Sequence, residues 1–438
     1  MHHRQHPGIV DLLALHRQRP DHYPFLLQSV AAHRQAGRYD ILFAFPGEMI
    51  EVGHHESHAD FFAQLDAAAL ALPRAESSGG LPFCGGWFLL LGYEAARIVE
   101  PRLRLPDSPY RLPDALAVRC TAAVVVDRVD AITHFLSEGS ASELAQLEKD
   151  SRAASMLSAL PALVGVDEEA DAPFLAGVAR ILDYLRAGDV FQVNLSRRWQ
   201  AHYAEPVDAA ALYERLRQTN PAPFAGLARW RGSTVLSSSP ERLIEIENGI
   251  AQTRPIAGTH ARKSGVVEDG RQRDDLIGSL KERAEHVMLI DLERNDLGRV
   301  CVPGSVEVSE LMSIESYAHV HHIVSNVRGR LREGVGPGAA LRAVFPGGTI
   351  TGAPKVRAMQ IIAELERVGR GPYTGAMGYL SRDGRLDTNI LIRTLVCEDE
   401  RVSFRAGAGI VADSQPLNEL AETRAKARGL LLALGAAA

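Results

Sequence analysis

The chain has 438 residues, of which 46% are hydrophobic and 23% are charged. This length allows one large or two ordinary domains with a substantial core, and the composition is that of a globular protein. The 48 basic and 54 acidic residues leave a formal net charge of −6. No long basic cluster occurs, which argues against nucleic acid as a partner. The longest apolar stretch is too short to cross a bilayer, and the four cysteines lack CxxC spacing. We therefore expect a cytoplasmic enzyme that binds neither nucleic acid nor a membrane.

Two regions are predicted along the chain, residues 1–165 and 174–434, joined by the acidic segment 167–173, which is interpreted as a linker. The first region has strand-like apolar runs followed by a helical stretch at about 141–163, and in the second region strand-like runs alternate with helical patterns. The clearest strand-like runs are 41–45, 122–126, 191–195 and 402–410. The polar stretch 260–275 is interpreted as a loop, either a lid over a ligand or an ordinary surface loop.

Two pairs of glutamates occur at helical spacing. Glu282 and Glu285 lie three residues apart in a helical pattern, and Glu419 and Glu422 repeat this spacing near the C-terminus. The spacing puts both members of a pair on one helix face, where their oxygens suit a hard divalent cation. Such pairs are more often solvated faces, so the spacing alone leaves both interpretations open.

Three histidines lie close together, at His319, His321 and His322. In a strand-like run this spacing sends them to different faces, which argues against a shared metal ion. A histidine in such a run is either structural or an acid or base.

The run 345–355 reads FPGGTITGAPK. Its glycines and threonines offer backbone amides and hydroxyls directly before a predicted helix that begins near Pro354. Such a loop at a helix N-terminus favours anions, although many similar loops are only tight turns.

Arg393 follows the apolar run 387–392, which is expected to be a core strand. An arginine inside such a run is costly unless it meets an anion. Two uses fit this position: a bidentate contact with a ligand carboxylate, or a buried structural ion pair.

The literal sequence of the loop 345–355 closely resembles that of chorismate-utilising enzymes, the family of the anthranilate synthase, aminodeoxychorismate synthase and isochorismate synthase large subunits. Further segments resemble the family in the same order, at 189–196, 237–242, 253–259, 281–296 and 407–422. The resemblance spans about residues 174 to 430 and is weaker before them. It implies an α+β fold like that of anthranilate synthase component I, an α/β sandwich with two packed antiparallel sheets and outer helices.

The resemblance implies chorismate as the substrate and Mg²⁺ as the cofactor. It assigns Glu285 and Glu422 as direct metal ligands, with Glu282 and Glu419 holding waters in the next layer. It places His322 near the departing ring hydroxyl. The residues that it marks as catalytic are His322, Gln192, Glu282 and Lys355.

The resemblance also implies how the two carboxylates of chorismate are bound. Arg393 and Tyr379 are expected to hold the enolpyruvyl carboxylate. Backbone amides are expected to bind the carboxylates at two turns, and Lys355 and Thr349 are expected to line the same substrate cavity. The residues of the two turns are Gly258, Thr259, Gly407, Ala408 and Gly409.

Gln192 separates members of the family. Isochorismate and salicylate synthases resemble the chain here but carry a lysine that activates water. Glutamine has no useful basicity, whereas neutral ammonia needs no such activation. Gln192 therefore indicates amination, by an aminodeoxychorismate synthase or an anthranilate synthase.

The two aminating members divide the remaining signals. The loop 345–353 resembles aminodeoxychorismate synthase, which aminates chorismate at C4 for folate synthesis. Ala257 resembles anthranilate synthase, because many aminodeoxychorismate synthases have a lysine there that attacks ring C2. Gln28, Phe224 and Ala225 depart from the tryptophan pocket of feedback-regulated anthranilate synthases. We favour aminodeoxychorismate synthase, with anthranilate synthase as the alternative and a non-catalytic regulatory binding protein as a third reading.

No cysteine lies in a Gly-x-Cys-x-Gly sequence, so the chain carries no recognisable glutaminase nucleophile. We expect the chain to receive ammonia from a separate glutamine amidotransferase subunit.

Overall fold

The computed structural model describes residues 1–30, 37–54, 60–75, 79–152, 158–262, 265–316 and 320–436, except for the side chains at 259–261, 266, 267, 281 and 320. The strands of these ranges are β1 (His2–Pro7), β2 (Phe25–Gln28), β3 (Tyr39–Val52), β4 (Gly86–Leu91), β5 (Ala115–Asp127), β6 (Ile132–Ser137), β7 (Leu163–Glu168), β8 (Gln192–Tyr203), β9 (Phe224–Trp230), β10 (Ser233–Ser239), β11 (Arg242–Glu247), β12 (Ile250–Thr253), β13 (Ile256–Ala261), β14 (Glu307–Ser316), β15 (Val320–Arg330), β16 (Gly352–Ala353), β17 (Ala376–Ser381), β18 (Leu386–Ile390), β19 (Thr394–Glu398) and β20 (Arg401–Ile410).

Several helices are preceded by an N-cap residue whose side chain accepts hydrogen bonds from the free backbone amides of the first turn. Such residues are Asp11, Ser140, Asp208 and Ser279. The helices are α1 (Leu12–Gln18), α2 (Phe61–Ala71), α3 (Ala96–Val99), α4 (Ala141–Asp150), α5 (Asp171–Arg186), α6 (Ala209–Thr219), α7 (Val266–Gly278), α8 (Leu280–Gly298), α9 (Pro337–Val344), α10 (Lys355–Glu366) and α11 (Pro416–Leu434). Two 3₁₀ turns, at Tyr93–Ala95 and Gly348–Ile350, complete the set. In the described part of the chain, no helix is both long enough and apolar enough to span a bilayer.

Antiparallel ladders join all of these strands into one hydrogen-bonded network, so the two sheets expected from the resemblance are continuous with each other. The expected α+β class is confirmed. Strand β2 pairs with β9, and β4 pairs with β17. The predicted regions 1–165 and 174–434 therefore share ladders.

Two segments differ from their predicted structure. Residues 167–173 do not form a linker, because Glu168 ends β7 and Asp171 begins α5. The buried Arg197 holds both residues by ion pairs of 2.8 Å and 2.7 Å. The stretch 260–275 is not a loop, because most of it belongs to α7, which carries acidic residues in its first turn, where they suit the positive end of the helix dipole.

The elements that carry the predicted site residues lie next to one another. Strand β8 pairs with β20, and β13 pairs with β15. Helix α8 packs against β13 and β15, while α11 packs against β20 and α10 against β8. Apolar residues of these helices, among them Ile290, Ile362 and Leu420, are buried in the core.

Candidate active site

Two glycines of β20 leave space for polar side chains of β8. A Cβ placed on Gly409 would lie 2.5 Å from Nε2 of Gln192, and one on Gly407 would lie 2.8 Å from Oδ1 of Asn194. Gln192 Oε1 and Asn194 Oδ1 are buried and have no hydrogen-bond partner among the described residues. Because buried polar atoms are rarely left unpaired, these oxygens are available to a ligand. Asn194 was not predicted, although its alternation with Gln192 in an apolar strand is a visible signal.

Residues 406–410 of β20, here called the glycine segment, pair with a neighbouring strand along only one edge in the described part of the chain. Residues 406–410 of β20 pair with β8, whereas β19 pairs only with residues 401–404. Lys426 Nζ donates to the Gly407 carbonyl at 3.0 Å. Ala408 lies between the two glycines, fully buried opposite Leu195. This buried edge can therefore offer backbone groups to a ligand. That the backbone amides of residues 407–409 bind a carboxylate stays a prediction.

Arg393 lies in the connection between β18 and β19 rather than inside a strand, and it adopts a φ of 52°. Its Nη1 donates to Asn220 Oδ1 at 3.4 Å. No carboxylate in the described ranges forms an ion pair with it. Burial lowers the pKa of the Arg393 guanidinium, and Tyr373 nearby acts in the opposite direction. A desolvated guanidinium of this kind is well suited to bind an anion.

Tyr373, rather than Tyr379, is the tyrosine that acts on the pKa of Arg393. The Tyr373 hydroxyl lies 2.8 Å from where a Cβ on Gly407 would be, which places it at the glycine segment. Tyr379 points away, with its ring against Phe43 and Phe83 at centroid distances of 6.2 Å and 5.9 Å. The prediction that Tyr379 joins Arg393 is therefore wrong. It failed because the two tyrosines are six residues apart in one segment, and only the backbone path distinguishes them.

Tyr379 instead lines a separate cavity of about 320 Å³, together with Gln28 and Phe224. This cavity brings together the segments that the sequence related to the tryptophan pocket of anthranilate synthases. Gln28 Nε2 donates to Asp40 Oδ2 at 2.9 Å, and Gln28 Oε1 accepts from Arg217 Nη1 at 3.2 Å. The Gln28 amide is therefore engaged by protein groups on both sides.

His322, Gly258 and Glu282 lie together at the other side of the site. Gly258 has a φ of 62°, and its carbonyl accepts from His322 Nδ1 at 3.2 Å. Because a carbonyl can only accept, the proton of the neutral ring is on Nδ1, and Nε2 is an acceptor. Burial lowers the pKa of His322 to about 4, with the charge of Arg393 adding to the shift. A Cβ on Gly258 would lie 2.9 Å from Glu282 Oε2.

Two of the neighbouring predictions fall on residues of which little is described. The backbone of Thr259 pairs with that of His322, but the Thr259 side chain lies outside the described part of the chain, as does the whole of His319. His321 turns to the opposite side, where Nε2 lies 3.0 Å from Asp269 Oδ1. His321 and His322 therefore face different sides of the strand, as their spacing predicted.

Glu241 is a candidate site residue that the sequence reasoning missed. Thr349 Oγ1 donates to its Oε1 at 2.8 Å. Burial raises the pKa of the Glu241 carboxyl to about 7, although the Thr349 hydrogen bond and the charge of Lys426 oppose the shift. Glu241 is thus hydrogen-bonded to the loop 345–355, and the charge that acts on its pKa belongs to Lys426, which also donates to the Gly407 carbonyl. The only sequence signal for Glu241 was its place in the Ser-Pro-Glu-Arg segment 239–242.

Lys355 does not join these residues in the way predicted. Its Nζ donates to Asp296 Oδ2 at 2.5 Å and to the Val344 carbonyl at 3.1 Å. Both partners belong to the protein, so the ammonium group fastens the loop to α8. The predicted catalytic role of Lys355 lacks support from this geometry.

The four predicted metal-site glutamates lie on the N-terminal turns of two helices, Glu282 and Glu285 on α8 and Glu419 and Glu422 on α11. Glu422 forms an ion pair of 2.6 Å with Lys426, the residue that contacts Gly407. In the described ranges, no three side chains of the types that ligate metals converge on one point. The donor chemistry fits Mg²⁺, which takes oxygen ligands from a few carboxylates and keeps several waters.

The chain is similar to known proteins over most of its length. Residues 23–432 match the family model described as chorismate binding enzyme. Anthranilate synthase component 1 of Streptomyces coelicolor is 40% identical, over 95% of this chain and 84% of that protein. Aminodeoxychorismate synthase component 1 of Salmonella typhimurium is 38% identical, over 94% of this chain and 93% of that protein.

A solved structure shows the same fold. The crystal structure of anthranilate synthase component I from Streptococcus pneumoniae superposes with a TM-score of 0.81 at 32% identity, over 91% of this chain and 93% of that one. The family match covers more than half of the chain. Arg393, the two glutamate pairs and residues 406–410 of β20 all lie within the matched range. The chain therefore belongs to the family of chorismate-binding enzymes.

Proposed function

We propose that the chain is the synthase subunit of an enzyme that aminates chorismate at C4 to give 4-amino-4-deoxychorismate. The observation that carries the amination is Gln192, whose buried amide lies against Gly409. An amide cannot deprotonate water, whereas neutral ammonia attacks without a base. The ammonia comes from a separate glutamine amidotransferase subunit, since every cysteine of the chain is buried and none can serve as an exposed nucleophile.

Arg393 and Tyr373 hold the enolpyruvyl carboxylate of chorismate in this proposal. A guanidinium binds a carboxylate through two parallel hydrogen bonds, and the lowered pKa of Arg393 reflects the desolvation that such a partner would relieve. The backbone groups of Gly258 and of the glycine segment bind the ring carboxylate.

Glu241 supplies the proton for the departing ring hydroxyl. With a pKa of about 7, its carboxyl retains a proton over a large part of the neutral range. His322 is neutral there and cannot donate as an imidazolium, so its Nε2 accepts a hydrogen bond from the substrate. The hydroxyl leaves as water, ammonia adds to the ring, and the new ammonium group returns a proton to Glu241. Thr349 orients the Glu241 carboxyl throughout.

Glu285 and Glu422 would hold Mg²⁺, with Glu282 and Glu419 positioning its waters. When bound, the cation supplies a Lewis acid that polarises the ring carboxylate. Glu422 would have to share its carboxylate with Lys426, its ion-pair partner.

Anthranilate synthase is the second candidate, because a specific residue favours it. Ala257 is buried next to Gly258 and offers no amine for a covalent adduct at ring C2. A relative named anthranilate synthase and one named aminodeoxychorismate synthase have nearly the same sequence identity to this chain, 40% and 38%, so identity does not favour either candidate. We place C4 amination first because of the loop 345–353 and because Gln28 is neutral and engaged by Asp40 and Arg217.

Product analysis tests the proposal. The chain is incubated with chorismate, Mg²⁺ and ammonium, with and without aminodeoxychorismate lyase. The products are separated by chromatography and identified by mass spectrometry. A 4-aminobenzoate peak that needs the lyase is the expected result. Anthranilate formed without the lyase would establish the second candidate, and unchanged chorismate would indicate a regulatory binding protein.

A further inference from the structure

Arg370 is a fully buried arginine that donates hydrogen bonds to segments bordering the candidate site. Its Nη2 donates to the carbonyl of Asn194 at 2.8 Å, and its Nη1 donates to that of Ile350 at 3.3 Å. Asn194 belongs to β8, two residues after Gln192, and Ile350 belongs to the loop 345–355. One guanidinium thus connects two separate segments that border the site.

The same guanidinium lies against two aromatic rings. Its central carbon is 5.5 Å from the centroid of the Tyr373 ring and 4.9 Å from that of Tyr93. Nη1 also donates to Thr374 Oγ1 at 3.3 Å, next to Tyr373 in the chain. The position of the Tyr373 hydroxyl therefore depends on where the guanidinium is held.

Two buried glutamates hold Arg370 in place. Glu366 accepts from Nη2 at 2.7 Å and from Nε at 3.0 Å. Glu94 accepts from the backbone amides of Arg370 and Gly371, at 2.6 Å and 3.0 Å. Glu94 comes from the 3₁₀ turn Tyr93–Ala95, so the N-terminal region contributes to this support.

Stability alone gives little reason for such a network. Charges removed from water are costly, and apolar residues of similar volume commonly stabilise a core as well as a buried ion pair does. A network of fixed hydrogen bonds does, however, define the relative positions of the groups it joins. Three of the contacts of Arg370 go to segments of the site, namely Asn194, Ile350 and Tyr373.

We propose that Arg370, held by Glu94 and Glu366, is a positioning residue for the turnover of chorismate, because it fixes Tyr373 relative to β8 and to the loop 345–355. This inference rests on the proposed function. It gives the N-terminal region a part in substrate binding through Glu94.

A double-mutant cycle on kcat/KM for chorismate tests the inference, with Arg370→Lys and Tyr373→Phe as the two changes. Lysine keeps the charge beside Glu366 but cannot reach both carbonyls. A misplacement of about 1 Å costs about 100-fold, so Arg370→Lys should lower kcat/KM by about that factor, mostly through KM. In the Tyr373→Phe background the same change should cost less than about 10-fold, because the hydroxyl to be positioned is gone.

Arg119→Lys is the matched control. Arg119 is also buried, donates to the carbonyls of Gly86 and Cys120, and pairs with Glu138, but none of these residues is part of the site. It should change kcat/KM by less than about 3-fold, even where it lowers Tm as much as Arg370→Lys does. An equal loss from Arg370→Lys in both tyrosine backgrounds would overturn the inference.

If Arg370→Lys does not fold, Glu94→Gln replaces it in the cycle, since it removes one acceptor without changing the volume. Wild-type protein that turns over no chorismate would contradict the proposed function but not the inference about Arg370. The double-mutant cycle is then measured on the dissociation constant for chorismate by calorimetry. Additive effects of the two substitutions on that constant would count against Arg370 as a positioning residue.

Discussion

Tyr373 raises the pKa of the buried Arg393 guanidinium against the effect of burial, whereas Tyr379 lines a different cavity. This relationship distinguishes two tyrosines that the sequence presents as equivalent. It also separates the substrate site from the cavity that contains Gln28.

Phenylalanine substitutions of the two tyrosines test this separation. Tyr373→Phe removes a hydroxyl proposed to bind a carboxylate, a hydrogen bond worth about 1.5–3 kcal/mol, so KM for chorismate should rise at least about 10-fold. Tyr379→Phe should change KM by less than about 3-fold. Steady-state kinetics at saturating ammonium measure both, and a reversed order would return the role to Tyr379.

The pH profile should show the titration of Glu241. The proton donor is present below its pKa of about 7 and is lost as the pH rises, so kcat/KM should fall about tenfold per pH unit above that value. The concentration of neutral ammonia must be held constant, because it rises with pH. Glu241→Gln should be at least about 100-fold slower and should lack this descending limb. A wild-type profile that stays flat from pH 6 to about 9 would contradict the role.

The two glycines of β20 should respond differently to alanine. In Gly409→Ala the new methyl group meets the terminal amide of the Gln192 side chain, which can change rotamer, so activity should fall at least about 10-fold with a stability change below about 1 kcal/mol. In Gly407→Ala it meets the Leu195 carbonyl at 2.7 Å, and unfolding in urea should show a loss of about 1–3 kcal/mol. Equal effects of the two changes on stability would refute this reading of the strand pair.

The metal assignment predicts a specific loss. Glu422→Gln should lower kcat/KM at least about 100-fold at ordinary Mg²⁺ concentrations and raise the Mg²⁺ concentration needed for half activity. The exposed Glu333→Gln is the control and should behave as wild type. Full turnover by Glu422→Gln, or by wild type in excess EDTA, would remove Mg²⁺ from the account.

Much of the fold and part of the site could be predicted because they depend on local sequence. The β8 and β20 strand patterns, the glutamate pairs and the glycine segment are contiguous in the chain. His322 and Gly258 could be predicted separately, and the β13–β15 ladder brings them together.

The rest depends on contacts between distant residues. The burial of Glu241 and its hydrogen bond depend on Thr349, 108 positions later. Lys355 is engaged by Asp296, which lies 59 positions earlier, so its commitment to the fold is invisible in the loop sequence. The segment 167–173 resembled a linker because it is rich in acidic residues. Two of them, Glu168 and Asp171, form ion pairs with the buried Arg197, and the local pattern of charges does not reveal this distant partner.

Isotope incorporation decides between ammonia and water as the nucleophile at Gln192. The chain is given chorismate, Mg²⁺ and ¹⁵N-labelled ammonium in ¹⁸O-labelled water, and the product is analysed by mass spectrometry. The account predicts a product that carries one ¹⁵N atom and no ¹⁸O. A product that carries ¹⁸O and no ¹⁵N would show that water is added to the ring, and would contradict amination at this site.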